Sequence, residues 1–391
     1  MEKKKVLFIN GHLNAGGVER SLVDVLRHFD YAKNEVDLLL LEGTGDYLSE
    51  IPSNVHVIMY PLNEASGPLL RTLFGTFVHG DFILFFYRLF MLFRKILGDK
   101  IMKYAFILFR NGKEVYDVVI AYRPEAAALL AAFTFRTKKR FLWWHHGERN
   151  IYGKKQKEYL NVCSKFDSII AVSESSASIV KETFPLLVNR VLVIPNMLCV
   201  DDIRKKGKET PLMMDISVWN VVSVARMSPE KNMSLCINVA NCLREHDFMF
   251  HWYMIGDGVE AMKLQSMVKL YKLDNYFTFT GKLVNPYPYI QHADVLFHPS
   301  LVESQGLTVL EAMSLYTPVI VVESAGTKEY VVNKTNGILI RSDVKEAADA
   351  ILQLYFDKQM AAKMVNNAIQ TISVFSPQVV MRKIEQIITA K

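Results

Sequence analysis

Short apolar runs closed off by polar residues alternate along this chain with longer stretches in which apolar residues recur every three or four positions. The first run, Val6 to Ile9, predicts a strand over Lys5–Asn10. A loop follows at His12–Gly17, then a helix through about Phe29. Further strands are predicted at Glu35–Leu41, Val55–Met59, Asp117–Ala121, Arg140–Trp144, Ser168–Val172 and Arg190–Ile194. Pro195-Asn196 closes this half, and the polar stretch Asp201–Asp215 reads as an interdomain connection. The rhythm then restarts with strands at Asn220–Ala225, Phe248–Ile255, Phe277–Thr280, Val295–His298, Pro318–Val322 and Gly337–Ile340, and a last helix at Pro377–Thr389. Runs that are apolar at consecutive positions suit parallel strands covered on both faces. The expectation is an α/β chain of two doubly wound Rossmann-like domains facing each other across a cleft. The boundaries expected are 1–196, 197–375 and a terminal helix in 376–391. Ligands of open parallel sheets bind beyond the carboxyl ends of the strands, so chemistry is sought in the loops just after them.

Length agrees, since 391 residues suffice for two sizeable cores. Half the residues are hydrophobic and 22 % are charged, as in globular proteins. Cys163, Cys199, Cys236 and Cys242 have no paired metal spacing and read as small buried hydrophobes. The first apolar run is too short for a signal peptide, so a cytoplasmic location is expected. Charge is uneven. Residues 1–196 hold 26 Lys+Arg against 20 Asp+Glu, and the remainder balances. The segment 69–113 carries the excess, with eight basic residues against two acids, and it contains the run Phe82-Ile-Leu-Phe-Phe-Tyr-Arg-Leu-Phe-Met-Leu-Phe-Arg-Lys-Ile-Leu97. Arg88 breaks that run, and what remains is too short to span a bilayer. Such a helix suits an anionic membrane surface, here the inner face of the cell membrane, or packing on its own domain. Nucleic acid is not expected, because base-reading polar neighbours are missing.

Five loops carry candidate chemistry. Gly16-Gly17 after the first strand lets backbone amides approach a phosphate. His145-His146 ends the Arg140 strand, where adjacent side chains point opposite ways, so one histidine should face the cleft. Arg226 and Lys231, five apart after the Asn220 strand, suit a diphosphate. Lys231 is placed at the start of the following helix. Gly256-Asp-Gly258 suits a close backbone approach. Finally, Glu303 lies on a loop and Glu311 in the helix that follows. If both were helical they would stand ~12 Å apart along the axis, too far to share a proton. They read as two acceptors for a polyhydroxylated ligand, with the helix start at Gly306-Leu307 facing an anion. Polyol plus phosphate suggests a nucleotide sugar.

In this order the pieces resemble the large family of retaining GT-B glycosyltransferases that contains bacterial lipopolysaccharide, capsule and phosphatidylinositol mannosyltransferases, family four in the usual sequence classification. Similarity runs along nearly the whole chain. It is most specific in Ala225-Arg226-Met with Pro229-Glu-Lys231-Asn232, in the Glu303-x7-Glu311 pattern, and in Ala293-Asp-Val, Pro299-Ser300 and Pro318-Val-Ile. The resemblance implies that Arg226 and Lys231 bind the donor diphosphate, so that no metal and no cofactor beyond the donor are needed. It implies that Glu303 holds a sugar hydroxyl, that the backbone of Ser304, Gln305, Gly306 and Leu307 cradles sugar and phosphate, and that Glu311 binds the ribose. His146 matches the family's cleft histidine. Gly16, Gly17, Gly256 and Gly258 would border the donor. Ser304-Gln305 replaces the family's frequent Gly-Phe, and Gln305 is expected beside the donor sugar, where it would tune sugar choice. The implied donor is a nucleotide-diphosphate sugar, expected to be a UDP-sugar. The implied acceptor is a lipid-linked glycan of surface-polysaccharide synthesis, reached through the 69–113 segment. The developing charge lies on the leaving diphosphate, where cations and helix N-termini stabilise it.

The same residues bear on three rival readings. A nicotinamide oxidoreductase needs Gly-x-Gly-x-x-Gly, which neither glycine loop supplies. A GT-B epimerase or phosphorylase would differ in acceptor or cofactor. A non-catalytic membrane-associated partner would not require Arg226, Lys231, Glu303 and Glu311 together.

Overall fold

The computed structural model describes residues 2–60, 82–98, 101, 104, 108, 114–147, 153, 156–211, 214–215 and 217–390. Among them are two all-parallel sheets. The first contains β1 (Lys4–Asn10), β2 (Asn34–Leu40), β3 (Val55–Met59), β4 (Val115–Ala121), β5 (Arg136–Trp144), β6 (Ser168–Ala171) and β7 (Val191–Val193), in the order β3-β2-β1-β4-β5-β6-β7. The second contains β8 (Trp219–Val224), β9 (Phe250–Ile255), β10 (Phe277–Gly281), β11 (Val295–His298), β12 (Val319–Val322) and β13 (Ile338–Ile340), in the order β10-β9-β8-β11-β12-β13. In both, the order reverses beside the first strand, between β1 and β4 and between β8 and β11. That creates a crevice at the carboxyl ends of those strands.

The apolar runs of β1 explain the layering. Leu7 and Ile9 enter one core with Val119 and Leu142, whereas Val6 and Phe8 enter another with Leu22 and Leu26 of the helix Gly17–Arg27. β8 repeats this, with Val221 facing one core and Val222 the other. Each such side chain contributes about 1.5–3 kcal/mol on burial. The final helix, Pro377–Thr389, returns to the first domain. Val380, Ile384 and Ile388, four apart on one face, pack with Val6, Phe8 and Phe141.

The chain therefore crosses between the domains twice, at 194–198 and at 373–376. The crossings touch through Leu198 N–H donating to Phe375 O at 2.8 Å. The expected connection over Asp201–Asp215 is corrected in part, because Val200–Gly207 is a helix. Ile203 packs against Tyr253, Ile290 and Leu315 in the second domain, and this one anchored face suffices to order an otherwise polar stretch. Charged pairs bridge the cleft floor: Arg27–Asp202 at 2.6 Å, Lys206–Glu50 at 3.0 Å and Lys282–Asp46 at 2.9 Å.

Most of the 69–113 segment lies outside the described residues. Its described part is the helix Phe82–Leu97. Leu84 and Tyr87 are buried, with Phe90 and Met91 against the same core. Phe82, Phe86, Phe93 and Leu97 form an exposed apolar face. Arg94 pairs with Glu158 of its own domain. No described helix is long and apolar enough to cross a membrane. The four cysteines are free, three of them buried and Cys242 half-buried.

Candidate active site

The loops after β8, β9 and β11 are laced together by backbone bonds. Met227 N–H donates to Asp257 O at 2.9 Å, and Leu301 N–H to Glu230 O at 3.0 Å. Gly256 and Gly258 serve this lacing. A Cβ on Gly256 would stand 1.9 Å from Ala225 O, and one on Gly258 would stand 2.4 Å from Met227 O. Their φ values, +138° and +158°, also suit glycine. At both positions the missing Cβ makes room for another loop of the protein. What approaches them is the neighbouring Arg226 loop.

Arg226 is 72 % exposed at its side chain, with only a 3.7 Å approach to Glu230. It projects from the lacing with its guanidinium available to an anion. Lys231 differs from its expected placement. It lies in a single 3-10 turn, Pro229–Lys231, ahead of the helix Ser234–Glu245, with Asn232 left-handed at φ +51°. Its Nζ donates to Glu303 Oε1 at 2.6 Å, on the far side of the β8–β11 crevice. His298, at the end of β11 and buried, donates Nε2–H to the same oxygen at 3.0 Å. Burial alone pushes the Glu303 carboxyl up. The His298 bond and the Lys231 charge overcome this and hold it down at about 2. Both bonds fall on Oε1, and a carboxylate retains acceptor capacity on its second oxygen for a ligand hydroxyl.

Glu311 lies in the helix Leu307–Ser314 and accepts from Tyr287 Oη at 3.0 Å. Burial raises its carboxyl to about 7, against the opposing effects of Tyr287 and of Arg20 from the first domain. Arg20 is itself held by Asp24 at 3.2 Å and Glu50 at 2.9 Å. No side chain caps the Leu307 end of the helix, which begins after Gly306 at φ +76°; Val309 N–H donates to Gly306 O at 3.0 Å, and the N–H groups of Leu307 and Thr308 precede the first intrahelical bond. Tyr330 Oη donates to Gly306 O at 3.0 Å, and a Cβ on Gly306 would meet Thr327 at 2.9 Å.

The first domain closes onto this loop. A Cβ on Gly147 would stand 2.7 Å from the Glu303 carbonyl carbon, and one on Gly326 would stand 2.5 Å from Ser304 O. The Glu303-Ser304 backbone is thus clasped from both sides by glycines. Gly17 faces Leu307, whose Cδ1 would lie 3.4 Å from an added Cβ, and Gly16 is crowded by Glu19. Glu19 pairs with Arg123 and lies 3.7 Å from His12. His146 is partly exposed, with Nε2 3.3 Å from Glu125 Oε1 and its ring edge-on to Trp144. His145 is enclosed beside Tyr122, and burial pushes its imidazole down to about 3. Glu148 and Arg149 lie outside the described residues.

Gln305 needs a correction. The residue is 3 % exposed, and both ends of its amide are bonded to the Asn196 backbone. Oε1 accepts Asn196 N–H at 2.8 Å, and Nε2 donates to Asn196 O at 3.2 Å. It grips the interdomain crossing, where the resemblance had put it beside the sugar. Reading the sequence also missed His298, Tyr287, Gly147, Gly326 and Glu329, whose carboxylate accepts from Glu174 N and Ser175 N at the start of the helix Glu174–Thr183. His298 immediately precedes Pro299-Ser300 at a strand end, a position that could have been flagged. The others sit at positions with no motif of their own. Among the described residues no group of three or more His, Cys, Asp or Glu is arranged to hold a metal ion.

Comparison with known proteins agrees with this arrangement. Residues 218–371 match the profile described as glycosyl transferases group 1, and residues 15–201 match that of glycosyltransferase family 4. The Staphylococcus aureus poly(ribitol-phosphate) alpha-N-acetylglucosaminyltransferase is 24 % identical over 233 residues, 58 % of this chain and 45 % of that protein. The match therefore spans less than half of that relative's own length. Alpha-1,3/1,6-mannosyltransferase ALG2 of Mus musculus is 28 % identical over 304 residues, 66 % of this chain and 69 % of that one. The crystal structure of Anabaena HepE in complex with UDP-glucose superposes with a TM-score of 0.73 at 18 % identity, covering 99 % of this chain and 100 % of that chain. With two parallel Rossmann-like sheets closing on one cleft and the two profiles accounting for both of them, the chain belongs to the family-four glycosyltransferases of the GT-B fold.

Proposed function

We propose that the protein is a retaining, metal-independent glycosyltransferase. It moves a sugar from a nucleotide-diphosphate sugar, a UDP-sugar in our reading, to a lipid-linked glycan acceptor at a membrane surface during surface-polysaccharide synthesis. The observation that supports this most is the Lys231–Glu303–His298 cluster, with the exposed Arg226 guanidinium on the loop that also carries Lys231 and with the Leu307 helix start and Glu311 following Glu303 in the chain. Arg226 and the uncapped helix end neutralise the leaving diphosphate, which removes the need for a metal ion. Lys231 holds Glu303 ionised, and Glu303 accepts a donor-sugar hydroxyl on its second oxygen. Glu311 accepts the ribose hydroxyls. His146, oriented by Glu125, faces the reacting sugar. The acceptor attacks on the face the nucleotide leaves, and a diphosphate oxygen takes its proton. UDP-glucose in the Anabaena structure and the poly(ribitol-phosphate) substrate in the name of the S. aureus relative favour a UDP-sugar and a phosphate-containing polymer or lipid acceptor.

The exposed Phe82, Phe86, Phe93 and Leu97 face supports docking on lipid. Arg94 is paired within its own domain, so apolar insertion contributes more from this helix than that cation does. The test is UDP or GDP release by purified protein from a panel of nucleotide sugars, in EDTA, with and without membrane lipid extract. Release from one donor, raised by lipid, is the expected result. Absence of both release and donor binding would sink the reading. Replacing Phe82 and Phe86 by Ser should lower binding to anionic vesicles, and unchanged binding would assign the helix to packing alone.

A further inference from the structure

Gln305 is a glutamine within two residues of the sugar-gripping Glu303, yet its amide is spent elsewhere. Both of its polar ends bond to one residue, Asn196, 109 positions away in the chain. Asn196 sits on the first interdomain crossing, between β7 and the helix Val200–Gly207. The pairing continues inward. Asn196 Oδ1 accepts from Ser21 Oγ at 2.6 Å, and Ser21 Oγ lies 2.9 Å from Tyr122 Oη. Tyr122 stacks on Trp143 at 5.6 Å and lies 5.0 Å from His145, next to His146. Gln305, Asn196, Ser21 and Tyr122 are all buried, and every link is a hydrogen bond or ring contact. A continuous path of hydrogen bonds and ring contacts therefore joins the donor loop of one domain to the cleft histidine strand of the other, through the first interdomain crossing.

We infer that Gln305 is a positioning residue that couples the interdomain crossing at Asn196 to the loop carrying Glu303 and Ser304, so that domain closure sets the donor-sugar grip. This deepens the glycosyltransferase reading and rests on it for its catalytic consequence. Geometry supports coupling over mere filling. A bidentate amide holds the N–H and the C=O of Asn196, one on each of the two peptide units that flank its Cα, and so fixes the backbone there, which an apolar side chain at 305 would not do. The glycine clasp of Gly147 and Gly326 on residues 303–304 leaves the loop little freedom to compensate.

Two variants test this. Gln305→Met keeps length and apolar stem but makes neither bond. Gln305→Glu makes both bonds only when protonated, with C=O accepting Asn196 N–H and O–H donating to Asn196 O. As a carboxylate it faces the Asn196 carbonyl and repels it. Burial raises a carboxyl there, which brings the change into an accessible pH range. Amide exchange at Asn196 is read on the ligand-free protein, and UDP-glucose turnover is read from pH 5.5 to 8. In Gln305→Met, Asn196 should exchange roughly tenfold faster and kcat should fall roughly tenfold, with KM changing less. In Gln305→Glu, turnover relative to wild type should fall as pH rises, whereas the Gln305→Met ratio stays flat. Wild-type exchange at Asn196 in Gln305→Met, or a pH-independent ratio for Gln305→Glu, would overturn the coupling. If wild-type protein turns over no UDP-glucose or other nucleotide sugar, the activity reading fails by itself. The exchange measurement, in both variants and at both pH extremes, still decides whether Gln305 holds the crossing.

Discussion

Glu303 and Glu311 are eight residues apart, the same chemical group, and both enclosed, yet their surroundings drive them in opposite directions. Around Glu303 the second domain supplies a buried imidazole from β11 and an ammonium from the 3-10 turn, and the carboxyl stays ionised down to about 2. Around Glu311 there is one phenolic hydroxyl and a guanidinium from the other domain that is already committed to Asp24 and Glu50. Its carboxyl rises to about 7. Burial costs both groups, and what differs is how much compensation stands within hydrogen-bond reach. The first carboxylate is a fixed charge built into the fold. The second is poised to change charge near neutrality, when a ligand arrives or the domains move Arg20.

The largest effect should follow from breaking the fixed pair. Lys231→Ala leaves Glu303 buried beside His298 alone, so stability should fall by about 3 kcal/mol. Nucleotide release should drop about 10²–10³-fold as the charge that holds the donor grip is lost. Urea unfolding and a donor-release assay read the two together. This differs from the expectation for a cleft-loop lysine free to meet a phosphate, for which activity would fall and stability would not. Adding Glu303→Gln should restore much of the stability and none of the turnover. If the double variant is no more stable than Lys231→Ala, the pair is not what the lysine supports.

A smaller effect should come from the clasp that presses on Glu303 and has no counterpart at Glu311. Gly147→Ala puts a methyl 2.7 Å from the Glu303 carbonyl carbon, against backbone that cannot turn aside. The domains should part slightly, each remaining folded, and turnover should fall about tenfold to 10²-fold for a misplacement of an ångström. Scattering curves should show a more open particle. Wild-type turnover in this variant would mean that the clasped arrangement is not the working one.

Much of this was legible in the residues. The consecutive apolar runs located the strands of both sheets, because parallel strands covered on both faces have no polar phase to obscure them. β5 shows the limit: its first half, Arg136-Thr-Lys-Lys, is half exposed and too polar to read as a strand. Val200–Gly207 was missed as a helix because Ile203 provides its main buried anchor. Among site residues, Arg226, Lys231 and Glu303 announced themselves through charge in the loops after strands, and Glu311 through its spacing from Glu303. Their pairing did not. Nothing local says that Lys231 meets Glu303, 72 positions on, that Tyr287 meets Glu311, or that Gln305 turns to Asn196. Those contacts depend on how loops from different crossovers lie together. The glycines were visible, but whether a missing Cβ makes room for a ligand or for another loop depends on the fold.

Replacing the poised carboxyl should give a pH signature that the fixed one cannot. In the proposed function the ionised Glu311 accepts the ribose hydroxyls, so wild-type affinity for UDP-glucose should rise as pH increases through about 7. Stability should move the other way. The folded pKa lies above the unfolded value, so the contribution is fully present below about pH 4.5 and lost as pH rises through 7. Glu311→Gln should bind UDP-glucose about tenfold more weakly at pH 8, with a flat pH profile, and should lose less stability than wild type between pH 6 and 8. Glu303, with its pKa lowered, contributes stability above about 4.5 that is lost as pH falls toward 2, so its variants should leave the neutral range unchanged. Calorimetric titration with UDP-glucose, which has no phosphate ionising in this range, separates the two. A wild-type affinity independent of pH from 6 to 8 would contradict the assignment of Glu311.

The finest test alters the compensation at Glu311 and leaves the carboxyl in place. Tyr287 Oη donates to it at 3.0 Å, which favours the ionised form and opposes the rise caused by burial. Tyr287→Phe keeps the ring in its buried position and removes that donor alone. The cost in stability should be about 1 kcal/mol at high pH and smaller at low pH, where Glu311 is protonated and the hydroxyl has less to offer. The midpoint of the UDP-glucose affinity profile should move upward, because the carboxylate has lost the Tyr287 hydrogen bond while burial remains. A downward move would mean that the phenol stabilises the protonated acid, and the contrast between the two glutamates would then rest on Arg20 and on burial.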